Sequence, residues 1–316
     1  CFRSSLIVFS TKSDLLIATS PPLTISIPGI LFRWIKGKTF IFEVRDLWPE
    51  TLLRMGVLNK NGFFYIILRL IESFLLKISD KVIILFEGGR EYYISRGLSP
   101  NKLLYIPNGI DMEYKSYREV NRKKDSEPFE LYYLGSLGRA NSVENIIRAI
   151  FYLNKEGLNK KQLILNITGD GPLKKQLINL VIDLKIDNIK FFPPENNKKI
   201  YEITQNADGF IFSMLNLPNV YRFGISFNKI FEYMSLSRPI VYWSCAKYDP
   251  IQDSGAGIKS ISRNPKDLAY AIKLLINESF ENRKNLSKLA YNYVLTYHSY
   301  EKLALNLYNH ILRNDS

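Results

Sequence analysis

The stretch Arg222–Ser244 reads RFGISFNKIFEYMSLSRPIVYWS and indicates the fold class. It divides into a glycine-containing loop, a helix that begins near residues 226–228 and an apolar strand over 239–243. We expect Ser226 and Asn228 to accept hydrogen bonds from N–H groups of the first helical turn, because small polar residues cap helices in this way. A helix followed at once by a fully apolar strand is typical of an α/β sheet that is covered on both faces.

The same helix places Lys229 and Glu232 three positions apart, and therefore on one face. The loop and the first helical turn present free N–H groups to an anion. A cation beside them suits a diphosphate, and a carboxylate one turn later suits a pair of vicinal hydroxyls, so the pattern predicts a site for a nucleotide sugar. An exposed amphipathic helix with a surface Lys–Glu pair also explains this spacing, and spacing alone favours it because such pairs are common on exposed helices.

Apolar strands alternate with helices along the rest of the chain, which predicts parallel sheets. Strands are expected at residues 14–19, 39–44, 81–86, 103–106, 129–134, 163–168, 188–192, 208–213, 239–243 and 257–261. Residues 115–128 are polar, charged and aperiodic, which marks a domain boundary. The predicted fold class is therefore α/β, with two doubly wound domains over residues 1–116 and 117–296 and a final helix over about 297–316.

The composition limits the partners of the chain. The 43 Lys and Arg residues against 30 Asp and Glu give a net charge of +13, which favours anionic lipid surfaces, nucleotide phosphates or nucleic acid. The sequence contains two cysteines, Cys1 and Cys245, and two histidines, His298 and His310, so neither a disulfide framework nor a metal site is expected. No signal peptide is evident, and we expect a cytosolic, reducing compartment.

The most apolar segment, Gly62–Ile78, carries Arg69 and Glu72 at its centre. A membrane-spanning helix would bear a large cost for both charges. Two alternatives remain: a helix buried in the core, or a helix that dips an apolar face into a membrane surface. The chain begins at Cys1 instead of Met, directly in an apolar segment, and from this we expect that its natural N-terminus is missing.

Three further strand ends carry candidate site residues, because ligands of such sheets bind at the carboxyl ends of the strands. The first is Arg45-Asp46, which could form an ion pair at the crevice. The second is the segment 135–139 (GSLGR), in which Gly135 allows a close approach to a phosphate and Arg139 could bind it. The third is the segment 169–172 (GDGP), with Gly169 and Gly171, whose pattern is also that of a tight turn into a helix.

With these residues in place, the chain resembles the retaining glycosyltransferases of the GT-B fold, family GT4, in the bacterial branch that builds O-antigen and capsular polysaccharide. The matching segments are IATSPP (17–22), FEVRDLWPE (42–50), IPNGID (106–111), GSLGRA (135–140), GDGP (169–172), FNKIFEYMSLSRPIV (227–241) and SGAGI (254–258). They occur in the family's order and span nearly the whole chain. The segment FEVRDLWPE is similar to that of N-acetyl-fucosamine and related aminosugar transferases.

The resemblance implies a cleft between two Rossmann-like domains, of which the second binds a UDP-linked sugar and the first binds the acceptor. The final helix would cross back onto the first domain, and no metal cofactor would be needed. Lys229 and Arg139 would hold the diphosphate, and Glu232 would accept from the ribose hydroxyls. The loop Gly224, Ile225, Ser226 and Asn228 would supply backbone donors, with Gly135, Gly169 and Gly171 also on the donor side. Arg45 and Asp46 would face the sugar and the acceptor, and Arg45, Asp46 and Lys229 would be the catalytic residues.

The chain departs from the family pattern at three places. Gly224 stands where the first acid of the paired-glutamate motif is expected. Ser136 replaces a basic residue after Gly135, and no Lys follows at Asn141. The first βα units of the acceptor domain are not found before Cys1, so this domain is expected to be incomplete.

The expected function is transfer of a sugar to a polyprenyl-diphosphate-linked saccharide by a peripheral protein at the anionic inner face of the cytoplasmic membrane, with no nucleic acid partner. Three alternatives remain open from the sequence. They are a sugar-nucleotide epimerase, a basic protein that binds membrane or nucleic acid without catalysis, and an inactive fragment that still binds nucleotide.

Overall fold

The computed structural model describes residues 7, 10, 12–113, 115–120 and 127–312 of the chain. Within these ranges four strands form a first parallel sheet, in the spatial order β1-β2-β3-β4. Its strands are β1 (Leu15–Ser20), β2 (Thr39–Val44), β3 (Lys81–Ile84) and β4 (Leu103–Tyr105). The predicted start at Cys1, residues 121–126 of the polar boundary segment and the last residues of the final helix lie outside the described residues.

Six strands form a second parallel sheet, in the order β10-β9-β8-β5-β6-β7. They are β5 (Phe129–Leu134), β6 (Leu163–Thr168), β7 (Ile189–Phe192), β8 (Gly209–Phe212), β9 (Ile240–Tyr242) and β10 (Gly257–Lys259). All the predicted strands are present, with ends that move by one or two residues. The predicted α/β fold with two parallel sheets is confirmed. Because β5 lies between β6 and β8, the strand order of this sheet reverses at β5.

Helices connect the strands on both faces of the sheets. On the first sheet they are α1 (Ile27–Lys36), α2 (Glu50–Arg54), α3 (Phe63–Ile78) and α4 (Gly89–Ile94). The others are α5 (Val143–Lys155), α6 (Lys174–Asp183), α7 (Asn197–Ile203), α8 (Pro218–Tyr221), α9 (Asn228–Ser235), α10 (Pro250–Ser254), α11 (Pro265–Asn277), α12 (Phe280–Tyr297) and α13 (Tyr300–Leu312). The segment 169–172, whose pattern is also that of a tight turn into a helix, is followed by a turn at residues 172 and 173, and α6 begins at Lys174.

The second sheet is packed with apolar side chains on both faces. One face contacts α5 and α11 through residues such as Ile147 and Leu275, and the other contacts α9 through Phe210 and Tyr233. On this second face the buried guanidinium of Arg238 donates to the carbonyl oxygens of Ala207, Gln205, Ser237 and Arg118. A cation satisfied only by carbonyl oxygens ties the linker before β5 to the second sheet.

The helix α3 packs through one face and exposes the other. Leu75, Leu76 and the charged Glu72 are buried. Phe64 and Leu70 are among the residues of its exposed face. The alternative of a helix buried all round is therefore wrong. Within the described residues, no helix is long and apolar enough to cross a membrane.

The last two helices cross from the second sheet to the first. The residues His298 and Ser299 separate α12 from α13, and Ser299 forms a parallel β-bridge with Ile110. Leu307 and Ile311 of α13 then pack against the core of the first sheet. The chain therefore passes between the sheets twice, near Ile110 and near His298, and both passages lie side by side.

Candidate active site

The carboxyl ends of β5 and β6 and the helix α9 enclose a cavity of about 360 Å³. We call it the strand-end cavity; Gly135, Thr168, Gly169, Asn197 and Glu232 are among the residues that line it. It lies where the strand order of the second sheet reverses. Open α/β sheets bind their ligands at such a point, beyond the carboxyl ends of the strands. The cavity is therefore the first candidate for a ligand site in this fold.

Close backbone contacts explain two of the predicted glycines. A Cβ atom on Gly169 would lie 1.9 Å from the carbonyl oxygen of Gly135, so a larger residue would push the two strand-end loops apart. Gly171 faces the backbone of Leu137, where a Cβ atom would lie 2.7 Å away, and it does not line the strand-end cavity. Of the three glycines predicted here, Gly135 and Gly169 border the cavity, whereas Gly171 packs within the loop.

Lys229 reaches from α9 to the loop that follows β5. Its Nζ lies 3.4 Å from Tyr133 Oη and donates a hydrogen bond to Asn141 Oδ1. A Cβ atom on Gly135 would lie 3.8 Å from the same Nζ. Both hydrogen-bond partners are neutral, and burial lowers the pKa of the Lys229 ammonium to about 8. A cation held among neutral groups beside a glycine is suited to bind a phosphate.

Glu232 lies one turn further along α9 and lines the strand-end cavity. Its half-buried carboxylate forms no ion pair with Lys229 within the described chain, since Lys229 is bound to Asn141. Burial raises the pKa of Glu232, and the positive charge of Lys115 opposes this shift. The alternative of a surface Lys–Glu pair is therefore wrong. Glu232 lines the strand-end cavity, whereas Lys229 lies beside Gly135 at its edge.

The start of α9 differs from the prediction. The helix begins at Asn228, with Phe227 as its N-cap residue, and no side chain caps it. The hydroxyl of Ser226 instead accepts a hydrogen bond of 2.9 Å from the N–H of Asn108. The prediction that Ser226 and Asn228 cap this helix is wrong, because a main-chain donor from the passage between the sheets takes the Ser226 hydroxyl.

The N–H groups of the loop before α9 are also partly engaged. Gly224 donates to the carbonyl oxygen of Tyr221 at 2.9 Å, and Ile225 donates to that of Tyr248 at 3.3 Å. The prediction that these two residues offer free backbone donors is wrong, because the loop folds back on itself at Gly224, which has a φ of +110°. Among the described residues, the N–H groups of the first helical turn, at Asn228 and Lys229, have no backbone partner.

A second cavity of about 310 Å³ lies between the two sheets. We call it the intersheet cavity, and it is lined by Arg45 and Asp46 from the first sheet and by Gly224, Ile225 and Ser226 from the second. Most of its remaining lining is apolar, from Leu47, Met55, Phe86, Ala140, Leu215, Leu217, Val220, Tyr221, Phe223 and Phe227. The structure thus places some predicted site residues on each cavity. The residues Arg139, Gly171, Asn228 and Lys229 line neither of the two.

Arg45 and Asp46 do not form the expected ion pair within the described chain. Asp46 Oδ1 accepts a 2.7 Å hydrogen bond from the hydroxyl of Thr51, and the Arg45 side chain is exposed. Burial raises the pKa of Asp46, and the bond from Thr51 opposes the shift. The helix α2 follows this loop directly, so a local donor on α2 satisfies the carboxylate and leaves the guanidinium free to face the cavity.

The turn Arg139–Asn141 lies between the two cavities. Arg139 is exposed on this turn and Ala140 lines the intersheet cavity. Asn141 contacts Lys229, which lies beside Gly135 at the strand-end cavity. An exposed guanidinium on such a turn is free to approach an anion from either side. Arg139 therefore lies close to the predicted phosphate site, although no cavity wall holds it.

Several residues around the strand-end cavity have no signal in the sequence. Asn141 and Tyr133 hold Lys229. Thr168 lines the cavity, and its buried hydroxyl has no hydrogen-bond partner within the described residues. The positive charge of Lys115, on the passage between the sheets, lowers the pKa of Glu232. In the part of the chain that the structure describes, no cluster of three or more His, Cys, Asp or Glu residues could hold a metal ion.

Comparison with known families decides the class of protein. Residues 115–293, more than half of the chain, match the family model described as "Glycosyl transferases group 1". The chain belongs to this family. The match covers β5 to β10 and therefore the residues that line the strand-end cavity, with Gly135 and Glu232 among them, and the adjacent Lys229. The predicted glycosyltransferase family is confirmed.

Two curated relatives are glycosyltransferases by name. The chain is 23% identical over 198 residues to the "Probable glycosyltransferase WbjE" of Pseudomonas aeruginosa, which covers 60% of this chain and 46% of WbjE. It is 24% identical over 261 residues to the "Uncharacterized glycosyltransferase MJ1069" of Methanocaldococcus jannaschii, which covers 79% of this chain and 64% of MJ1069. The matched part of the chain thus spans less than two thirds of the length of either relative.

Solved structures share the whole fold. Anabaena Alr3699/HepE in complex with UDP matches with a TM-score of 0.73 at 14% identity, over 97% of this chain and 80% of that chain. The sucrose-phosphate synthase of Thermosynechococcus elongatus matches with a TM-score of 0.71 at 17% identity, over 96% and 74%. At these identities the matches show the fold alone, which is the GT-B arrangement of two parallel sheets around a cleft.

Proposed function

We propose that this protein transfers a sugar, with retention of the anomeric configuration, from a UDP-sugar to a polyprenyl-diphosphate-linked saccharide in the synthesis of a surface polysaccharide. The observation that supports this best is the pair of charged side chains at the strand-end cavity. The carboxylate of Glu232 lines it, and one helical turn earlier the Lys229 ammonium, held by neutral groups, lies beside its lining residue Gly135. The relatives support the class of substrate. Anabaena HepE has been solved with UDP and with UDP-glucose, and a fold neighbour is the lipopolysaccharide outer core galactosyltransferase WaaB.

In the proposed donor complex, the diphosphate lies between Gly135 and the first turn of α9. Lys229 and the N–H groups of this turn bind its oxygens, and Arg139 approaches from the exposed side. Glu232 accepts from the ribose hydroxyls, and the uracil ring lies toward Asn197 at the start of α7. The arrangement places cations at the charged diphosphate and a hydrogen-bond acceptor at the neutral ribose hydroxyls.

The proposed reaction breaks the bond from the anomeric carbon to the diphosphate oxygen. The acceptor hydroxyl oxygen forms its bond to the same carbon on the same face, and the departing phosphate oxygen takes the hydroxyl proton. The principal contribution of the protein is electrostatic stabilisation of the leaving UDP by Lys229 and Arg139. Because side chains and helix N–H groups supply this charge, we expect transfer to continue in the presence of excess EDTA.

The intersheet cavity receives the donor sugar in this proposal. Gly224 replaces the first acid of the paired-glutamate motif and brings no carboxylate to this cavity. Arg45, Asp46 and Ser226 therefore supply most of its polar side chains. The many apolar side chains around them favour a sugar that presents methyl groups, such as an N-acetylated amino sugar. This agrees with the resemblance of the segment 42–50 to aminosugar transferases.

The lipid-linked acceptor requires a membrane contact, for which an apolar surface on the first sheet is the candidate. We call it the α1–α3 surface and define it by its exposed members Ile27, Trp34, Ile35, Phe63, Phe64, Ile66, Leu70 and Phe74. The rings of Trp34 and Phe74 are in edge-to-face contact at 5.8 Å. With a net charge of +13, such a surface suits an anionic membrane face, the cytoplasmic face in this proposal.

Flotation with vesicles tests the membrane contact. The double substitution Phe64→Glu and Leu70→Glu should abolish binding to vesicles that contain anionic lipid, whereas Tyr270→Glu, at an exposed aromatic on α11, should not. All variants should bind UDP equally. Unchanged flotation of the double variant would show that this surface does not contact the membrane.

Thermal unfolding in the presence of nucleotides tests the proposed donor. A ligand that binds only the folded state raises its stability by RT ln(1 + [L]/Kd), so UDP and UDP-sugars should raise the Tm and GDP should not. Formation of a glycosylated lipid from a labelled UDP-sugar then tests transfer. A shift with DNA and none with UDP would favour a basic binding protein, and conversion of the UDP-sugar to its epimer would favour an epimerase.

A further inference from the structure

A buried lysine near the strand-end cavity has no assigned role. Lys115 lies on the passage between the sheets, its residue is only 9% exposed, and its Nζ has no hydrogen-bond partner within the described chain. A buried ammonium without a partner is costly, because it has lost its water and gained no acceptor. Burial accordingly lowers the pKa of Lys115, and Glu232 is the first charge that opposes the shift, followed by Asp111.

Lys115 lines a cavity of about 870 Å³ that adjoins the strand-end cavity. Asn197, at the start of α7, lines both cavities and marks where they meet. Glu232 lines the strand-end cavity together with Asn197, and its carboxylate feels the charge of Lys115 but has no side-chain hydrogen-bond partner within the described residues. An unpartnered cation and an unpartnered carboxylate thus approach one space without touching.

The other charged groups near Lys115 are already engaged. The guanidinium of Arg118 lies 3.1 Å from the ring centroid of Tyr201 and donates to the carbonyl oxygen of the same residue. Asp111 accepts a 2.9 Å hydrogen bond from the N–H of Glu113. Lys198 and Glu195 also line these cavities, but both are exposed to solvent. Lys115 and Glu232 are therefore the charges shielded from solvent that are left to meet a ligand between the two cavities.

We propose that Lys115 is a further donor-binding residue, which together with Glu232 binds one ribose hydroxyl of the UDP moiety. A hydroxyl both donates and accepts, so it can give its proton to the Glu232 carboxylate while its oxygen accepts from the Lys115 ammonium. The two charged groups would then be satisfied by one neutral group. This inference rests on the proposed function, because it requires a nucleotide in the strand-end cavity.

Calorimetric titration of the full chain with UDP, 2′-deoxy-UDP and 3′-deoxy-UDP tests this inference. For Lys115→Met we expect the Kd of UDP to rise about tenfold to a hundredfold, the worth of a hydrogen bond from a charged group. The Kd of one of the two deoxy nucleotides should change little, because the hydroxyl that Lys115 binds is already missing. Lys190→Met, at an exposed lysine on β7, should bind all three ligands as the unsubstituted chain does.

The outcomes separate this inference from the proposed function. If the unsubstituted chain binds UDP and Lys115→Met binds all three nucleotides equally well, the inference is wrong and the proposed function stands. If Lys115→Met weakens all three by one factor, the lysine acts on the fold and not on a hydroxyl, and the inference is again wrong. If the unsubstituted chain binds no UDP, both are wrong. Should Lys115→Met not fold, Lys115→Gln, which keeps an N–H donor, should bind UDP with intermediate affinity.

Discussion

Replacement of Lys229 by Met tests the phosphate end of the site. The side chain keeps its length and loses its charge, and its two present partners, Tyr133 and Asn141, are neutral. Removing the buried ammonium therefore leaves no opposite charge unpaired, and the variant should fold with an unchanged or higher Tm. Any loss of ligand binding can then be assigned to the missing charge.

The size of the loss follows from the charge that Lys229 would meet. A hydrogen bond from a charged group in a partly buried site is worth about 1.5–3 kcal/mol. This corresponds to a rise of about tenfold to a hundredfold in the Kd of UDP. Uridine has no phosphate, so its Kd should be the same for the unsubstituted chain and for Lys229→Met.

The pH dependence gives an independent check on the same residue. The ammonium, whose pKa burial lowers to about 8, is charged below this pH and neutral above it. Affinity for UDP should therefore be full at pH 7 and fall as the pH rises through 8 to 9, whereas the affinity of Lys229→Met should stay flat. Equal UDP affinity in the two proteins, or an equal loss of UDP and uridine affinity, would refute the role of Lys229.

Three further predictions concern the carboxylate of the site and two buried charges. Glu232→Ala should raise the Kd of UDP and leave that of inorganic diphosphate unchanged in calorimetric titration, and equal effects on both would contradict a ribose contact. Burial raises the pKa of Glu72 to about 7, so the folded chain binds this proton more tightly than the unfolded chain does. The free energy of unfolding should then fall as the pH rises from about 4.5 to 7, by roughly 3 kcal/mol at about 1.4 kcal/mol per pKa unit. Urea titrations of Glu72→Gln should show no such fall, and a fall of the same size in this variant would refute the assignment to Glu72. Arg238→Met should lower the free energy of unfolding by about 3 kcal/mol or more, because it leaves buried carbonyl oxygens without a donor, and urea midpoints within error of the parent chain would show that these bonds contribute little.

Much of the fold was predictable because its strands are continuous apolar runs. A run such as 209–212 (GFIF) has no polar side chain to place at a surface, so it becomes a central strand whatever surrounds it. The same regularity placed Gly135 and Glu232 near one cavity, since residues that follow parallel strands meet at one edge of the sheet. Here the local pattern and the tertiary structure agree.

The remaining features depend on contacts between distant segments. Ser226 was expected to cap its own helix, but the N–H of Asn108 reaches it across the passage between the sheets. Lys115 lies in a polar stretch that resembles a linker, and its burial arises only when the second sheet folds beside it. The sequence left open whether the apolar helix α3 is buried in the core or presents an apolar face at the surface, and the structure exposes one of its faces. In each case the sequence specifies the residue, and the partner is specified by the topology.

Hydrogen–deuterium exchange of the full chain with and without UDP tests the central claim most directly, since a bound ligand slows exchange of the amides it contacts or orders. We predict protection at the ends of β5 and β6, near residues 134–136 and 168–170, and at the start of α9, near residues 228–232. Protection confined to other segments, or none at a concentration of UDP that saturates binding, would contradict the assignment of the strand-end cavity as the nucleotide site.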